Sequence, residues 1–215
     1  MNVISKWSPS DPFFTLLRTR RSIRRYQERD VSEDLIWTLL EAAHWAPSAH
    51  NRQPWRFAVI PRGRVRQRLV AAMAERWAAD LRGDGVGEGE IIRQVNRSRE
   101  RLLSAPTLLL LALSMADMDA YPDPKRQHAE YLMAVQSTAL AAQNLMLAAH
   151  YLGLGTCWIC APLFVPDVVQ KVLSLPEDWV AQAFISVGYP AERPQKERYP
   201  LQQHVVWIKE DEEAS

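Results

Sequence analysis

Arg20, Arg21, Ser22, Arg24 and Arg25 fall within six residues, and six basic residues lie between Arg18 and Arg29 against one acid, Glu28. A guanidinium presents a planar fork of donors that matches phosphate oxygens two at a time. Such a run is therefore either a solvated surface or one wall of an anion site. A second basic pair, Lys196 and Arg198, stands in a Pro- and Arg-rich stretch near the other end of the chain. Two distant clusters that converge on folding would make a phosphate site.

The segment Ala46-Pro-Ser-Ala-His-Asn-Arg-Gln-Pro-Trp55 fixes its backbone with two prolines and offers Ser48, Asn51 and Gln53 as short polar groups. The same composition also serves as a plain helix-to-strand connection. Cys157-Trp-Ile-Cys160 has the spacing of a redox dithiol, but it reads as strand and Pro162 follows. No helix N-terminus stands after Cys157 to lower its pKa, so thioredoxin-like chemistry is disfavoured. None of the five histidines falls at a regular ligand spacing to these cysteines, and no metal site is expected. His50 reads as structural or surface, and Gln136, Ser137, Gln143 and Asn144 as hydrogen-bonding groups within a helix bundle. Trp45, Trp55 and Trp158 are candidate walls for a flat ligand, although aromatic residues at such places are core at least as often.

The elements that must position these groups are legible from periodicity. Asp11 and Pro12 open a helix ending near Arg21, and Ser32 caps a second that Pro47 stops. A strand over Arg56–Ile60 and a helix over Val65–Leu81 follow. Gly83, Gly85, Gly87 and Gly89 have no strand before them and no GKS or GKT after them, so residues 83–90 read as a flexible loop and not a phosphate cradle. A helix from about Ile91 to Leu103 feeds the strand Thr107–Leu113, whose continuous apolar character suits burial on both faces. Residues 115–127 form a loop before a long central helix from about His128 to Leu152. Then come a strand Thr156–Ile159, a short helix opening at Pro166 and a strand Val180–Val187. The order is α+β without internal repeat.

The 215 residues, 47% hydrophobic, fit one domain over residues 1–215 with residues 190–215 as a C-terminal extension. A core of that size needs no disulfide scaffold, and two cysteines do not make one. The net charge of +1 argues against nucleic acid as a partner, yet residues 1–104 carry net +7 and residues 105–215 net −6. The basic half is where an anion would bind. The opening MNVISKWSPSDP lacks the apolar run of a secretory signal, so a cytoplasmic location is expected. The most apolar run, Leu108–Leu113, falls short of the ~20 residues of a membrane helix, and no membrane association is expected.

Taken in order, Arg20-Arg-Ser-Ile-Arg-Arg-Tyr26, Ala46-Pro-Ser-Ala-His-Asn-Arg-Gln-Pro-Trp55, Gly153-Leu-Gly-Thr-Cys-Trp158 and Lys196-Glu-Arg198 resemble the signature of the FMN-dependent nitroreductase family, over about residues 13 to 208. The resemblance implies a central, mostly antiparallel sheet flanked by helices, in an intertwined homodimer with both subunits contributing to each flavin site. Arg20, Arg21, Ser22 and Arg24 would then grip FMN, with Arg20 at the phosphate, Ser22 at the ribityl chain or phosphate and Arg24 at the pyrimidine edge. Pro47, Ser48, Ala49 and Asn51 would reach the flavin of the other subunit. Ser98 and Arg101 would meet the ring, Ser98 departing from the Asn common there while Asn96 lies nearby. Cys157, Trp158, Ile159, Cys160 and Ala161 would pass the reactive face with a backbone N–H near N5, and Lys196 and Arg198 would close on the phosphate.

The implied activity is hydride transfer from NADH or NADPH through flavin N5 to a nitroaromatic, a quinone or a similar flat acceptor, with no catalytic side chain required. Cations beside the ring would favour the reduced flavin. Tyr121-Pro-Asp-Pro, the Gly153–Trp158 run and Leu175-Pro-Glu-Asp-Trp179 look most similar to the flavin-binding C-terminal domain of deazaflavin-cofactor biosynthesis enzymes, although the ligase domain that accompanies it is lacking. Reduction of such a precursor, a flavin-binding protein without turnover, and the benzimidazole synthases and dehalogenases of the same fold stay open as alternatives.

Overall fold

The computed structural model describes residues 11–208; the reading of the opening residues and of the end of the C-terminal extension lies partly outside them. Asp11 caps α1 (Pro12–Thr19) by accepting from the N–H groups of Phe13 and Phe14, with Pro12 in the first turn. Ser32 caps α2 (Glu33–His44), whose Ile36, Leu39 and Ala43 turn inward. After β1 (Trp55–Pro61) come α3 (Arg64–Gly83), α4 (Glu88–Ser104), β2 (Thr107–Ser114) and α5 (Pro124–Tyr151). The chain continues through β3 (Gly155–Ile159), α6 (Pro166–Leu173) and β4 (Trp179–Gly188).

The four strands form one sheet in the order β1-β2-β4-β3, and every pairing is antiparallel. β2 is buried along its whole length, as its unbroken apolar run requires. Leu109 and Leu111 face α2 and α5, whereas Leu108, Leu110 and Ala112 face α3, α4 and α6. The sheet is thus a middle layer with helices on both sides.

Helix α5 is long and apolar enough, by length and composition, to cross a membrane. Here Ala134, Ala141, Ala142, Leu145 and Ala149 are buried in the fold, with the small side chains allowing α2 and the sheet to approach closely. The helix starts at Pro124, one turn earlier than its periodicity indicates, because Asp123 caps it by accepting from the N–H of Arg126.

The glycine cluster is a correction to the expected flexible loop over residues 83–90. Helix runs to Gly83 and resumes at Glu88, leaving a tight connection in which Gly85 takes a φ of 76° and Gly87 is the N-cap. Glu88 and Glu90 in the first turn of α4 complement its positive end.

Candidate functional site

Arg20 leaves α1 with a ψ of 130°, and the chain becomes extended. Residues 22–27 then run against the end of the sheet: Ser22 bridges Thr156 in parallel, and the N–H of Ile23 donates to the Thr156 carbonyl at 2.8 Å. The N–H of Gln27 donates to Tyr189, and that of Ala191 to Arg25, each at 2.9 Å. Two glycines make room for this strap. A Cβ at Gly155 would lie 2.7 Å from the Ile23 side chain, and one at Gly188 would lie 2.7 Å from Pro106 and Tyr26. Glu192 fastens the strap from outside, its carboxylate accepting from the N–H groups of Arg24 at 2.6 Å and Arg25 at 3.2 Å.

One consequence is a crowd of cations. Arg20 comes beside Arg21 and Arg198, and burial, then the charges of Arg198 and Arg21, lower its pKa. Arg21 donates to the Lys196 carbonyl at 3.3 Å, which brings the two ends of the chain together. The Arg21 Nε is buried without a partner. Among the described residues, Arg20, Arg21, Lys196 and Arg198 take part in none of the ion pairs. Like charges held together without a carboxylate are unfavourable until an anion joins them. At the C-terminal end of α5, His150 meets the Thr19 hydroxyl at 2.8 Å, and burial followed by Arg20 and Arg21 lowers its pKa.

Farther along the strap, Arg24, Arg101, Cys157, Trp158, Ile159, Cys160 and Ser186 line a cavity of about 210 Å³. Arg101 rises from α4, its pKa lowered by burial and by Arg97 and Arg24. Burial pushes the Cys157 thiol up, with Arg24 and Arg101 opposing, so it is held against ionisation. Cys157 is buried and Cys160 exposed, both are free, and the Trp158 indole N–H donates to the Cys160 sulfur at 3.0 Å. Ser98 and Ala161 line a separate, neighbouring chamber.

Ser186 is a site residue that sequence reading missed. Its hydroxyl meets that of Tyr26 at 2.7 Å, and Tyr26 also donates to the Ile23 carbonyl at 2.6 Å. A lone serine within the apolar run of β4 was the available signal.

Pro47, Ser48, Ala49 and Asn51 line neither of these cavities. Their loop is held elsewhere, the N–H of Ala49 donating to Ser137 Oγ on α5 at 3.2 Å and that of Gln53 to Ser48 Oγ at 3.0 Å. His50, Asn51 and Gln53 have φ values of 50°, 54° and 51°, a left-handed cluster of non-glycine residues that surrounding contacts must sustain. Among the described residues no group of three or more His, Cys, Asp or Glu side chains is placed to hold a metal ion.

Residues 17–189 match the Nitroreductase family, and the chain belongs to it. A protein of Methanothermobacter thermautotrophicus whose name joins NADH dehydrogenase and NAD(P)H nitroreductase is 32% identical over 180 residues, covering 83% of this chain and 77% of the relative. An NADH dehydrogenase of Thermus thermophilus is 28% identical over 213 residues, covering 87% of this chain and 92% of the relative. A nitroreductase-type protein of Desulfovibrio desulfuricans, crystallised in complex with FMN, is 27% identical with a TM-score of 0.71, covering 93% of this chain and 98% of its own.

Proposed function

We propose that the protein is an FMN-dependent oxidoreductase that takes hydride from NADH or NADPH and delivers it to a nitroaromatic, a quinone or a similar flat acceptor. The observation that carries this reading is the convergence of Arg20, Arg21 and Arg198, with the Lys196 backbone beside them, none of the four in an ion pair among the described residues. The buried, unpartnered Arg21 Nε fits an anionic group arriving from outside the chain. FMN supplies its phosphate as that anion and its ring as the two-electron carrier when bound.

The chain's own residues do the rest. Arg20, Arg21, Lys196 and Arg198 neutralise the phosphate, and Ser22 holds the ribityl side. Arg24 and Arg101, two cations facing one cavity, would hold the pyrimidine edge of the ring and favour negative charge there. Cys157 to Cys160, which line that cavity, would flank the ring, with Ala161 and Ser98 on the side of the neighbouring chamber. Trp158 fixes the Cys160 sulfur through its indole N–H. No side chain needs to donate or abstract a proton for hydride to pass.

Pro47, Ser48, Ala49 and Asn51 serve the site of a second copy, which accounts for their lining neither cavity of their own chain. The surfaces for that homodimer are unpartnered in one copy. α5 shows Leu132, Leu140 and Tyr151, and the tail shows Val206, Trp207 and Ile208 at 83% to 90% exposure. β1, an edge strand, borders a groove of about 1260 Å³ lined by Val31, Trp37, Phe57 and Val59. An open strand edge beside apolar side chains is a surface that proteins cover.

The test is a visible spectrum of the purified protein, then anaerobic additions of NADH and NADPH. A yellow protein bleached by either and restored by a quinone supports the reading. A colourless protein that takes up no added FMN contradicts it.

A further inference from the structure

Between α3, α4 and the turn Ala161–Phe164 lies a chamber of about 250 Å³, bordered by Ser98 and Ala161 on the side where the flavin reading sets the ring and otherwise lined by residues to which that reading gives no role. Val70, Met73, Ala74, Trp77, Leu102 and Phe164 make its wall. Cavities of about 150 Å³ already take benzene, so this one has room for one or two fused rings. Indole, phenyl and thioether walls suit a flat aromatic body.

Charge at the rim narrows the class further. Asp80 and Arg99 both reach the chamber. Asp80 is neutralised by Arg76 at 3.4 Å, and Arg76 also meets Asp167 on α6 at 3.5 Å, which laces α3 to α6 across the wall. Arg99 has no acid partner among the described residues. An apolar interior whose acid is already paired and whose guanidinium is not selects a ligand with an apolar ring and an anionic end.

We propose that this chamber is a second small-molecule site that takes an aromatic carboxylate, the ring among Trp77, Met73 and Phe164 and the carboxylate on Arg99. The chamber shares no lining residue with the cavity lined by Arg24 and Arg101, although α4 contributes to both. It does not depend on turnover.

The experiment is calorimetric titration of the full-length protein, saturated with FMN, with 2-naphthoate and with neutral 2-naphthamide. The expected result is one naphthoate bound per chain, with the flavin retained. Arg99→Ala should weaken naphthoate about tenfold or more while leaving naphthamide nearly unchanged, as loss of a charged hydrogen bond would. Ala74→Phe, which fills the chamber, should abolish binding of both without changing FMN content. Where Ala74→Phe fails to fold, Trp77→Leu removes the ring wall without adding bulk and should weaken both probes. No binding to the wild type, binding indifferent to these changes, or displacement of FMN by naphthoate would each overturn the proposal, the last by placing the probe in the flavin cleft. A colourless protein that ignores FMN but binds naphthoate through Arg99 would remove the flavin reading and leave this one standing.

Discussion

Arg20 and His150 feel the same field from opposite sides. Burial, then the charges of Arg20 and Arg21, lower the His150 pKa from 6.5, so the folded chain binds that proton less readily than the unfolded chain does. Over the interval just below pH 6.5 the unfolded state holds more protons, and stability therefore falls as pH falls. His150→Asn should flatten the pH dependence of the unfolding midpoint of the FMN-free protein there, by thermal melts in matched buffers. A slope equal to the wild type's would remove His150 from the account. The arginines were legible in the sequence because charge survives any reading of the fold. That Lys196 meets Arg21 through its backbone carbonyl was not legible, since backbone contacts leave no mark on residue type. Ser186 was hidden for another reason, as a single polar group in a buried strand is normally satisfied by its neighbours.

Elements place these side chains through a few demanding contacts. Arg66 on α3 is fully buried, and its guanidinium donates to the carbonyls of Ile60, Ala105 and Pro106, joining the end of β1 to the turn from α4 into β2. Burial lowers its pKa to about 10, so it stays charged at neutral pH. Arg66→Leu would leave buried carbonyls unpaired, and denaturant unfolding should show a loss of about 2–4 kcal/mol. A change below about 0.5 kcal/mol would mean that water replaces the guanidinium. Apolar spacing and caps located the six α-helices and four strands of the described residues, and the family resemblance anticipated the antiparallel arrangement of the strands. The misplacements have physical causes: Asp123 starts α5 early, and Gly85 with Gly87 compresses the expected loop into a turn. The left-handed run at His50, Asn51 and Gln53 was not legible either, because non-glycine residues adopt it only where tertiary contacts impose it.

For the whole molecule, the separation of the Pro47–Asn51 loop from the cation cluster is the feature that one copy alone does not explain. Two copies that exchange these segments would cover the apolar tail, the α5 stripe and the open edge of β1 together. Light scattering should give a dimer for the full chain. A chain ending after Arg198 keeps the cation cluster but loses the tail, and it should shift towards monomer at micromolar concentration. An unaltered dimer would assign the interface to α5 alone.

The claim on which the rest depends is that cations about 180 residues apart in sequence hold one phosphate, a separation that only the fold can close. The most direct measurement is FMN affinity, by quenching of flavin fluorescence, for the wild type, Arg20→Ala, Arg198→Ala and the double variant, with circular dichroism confirming that each is folded. Each single change should weaken binding about tenfold to a hundredfold, the scale of one charged hydrogen bond. The double variant should lose less than the product of the two, as residues sharing one ligand group do. Affinity unchanged in both single variants, with the fold intact, would contradict the account.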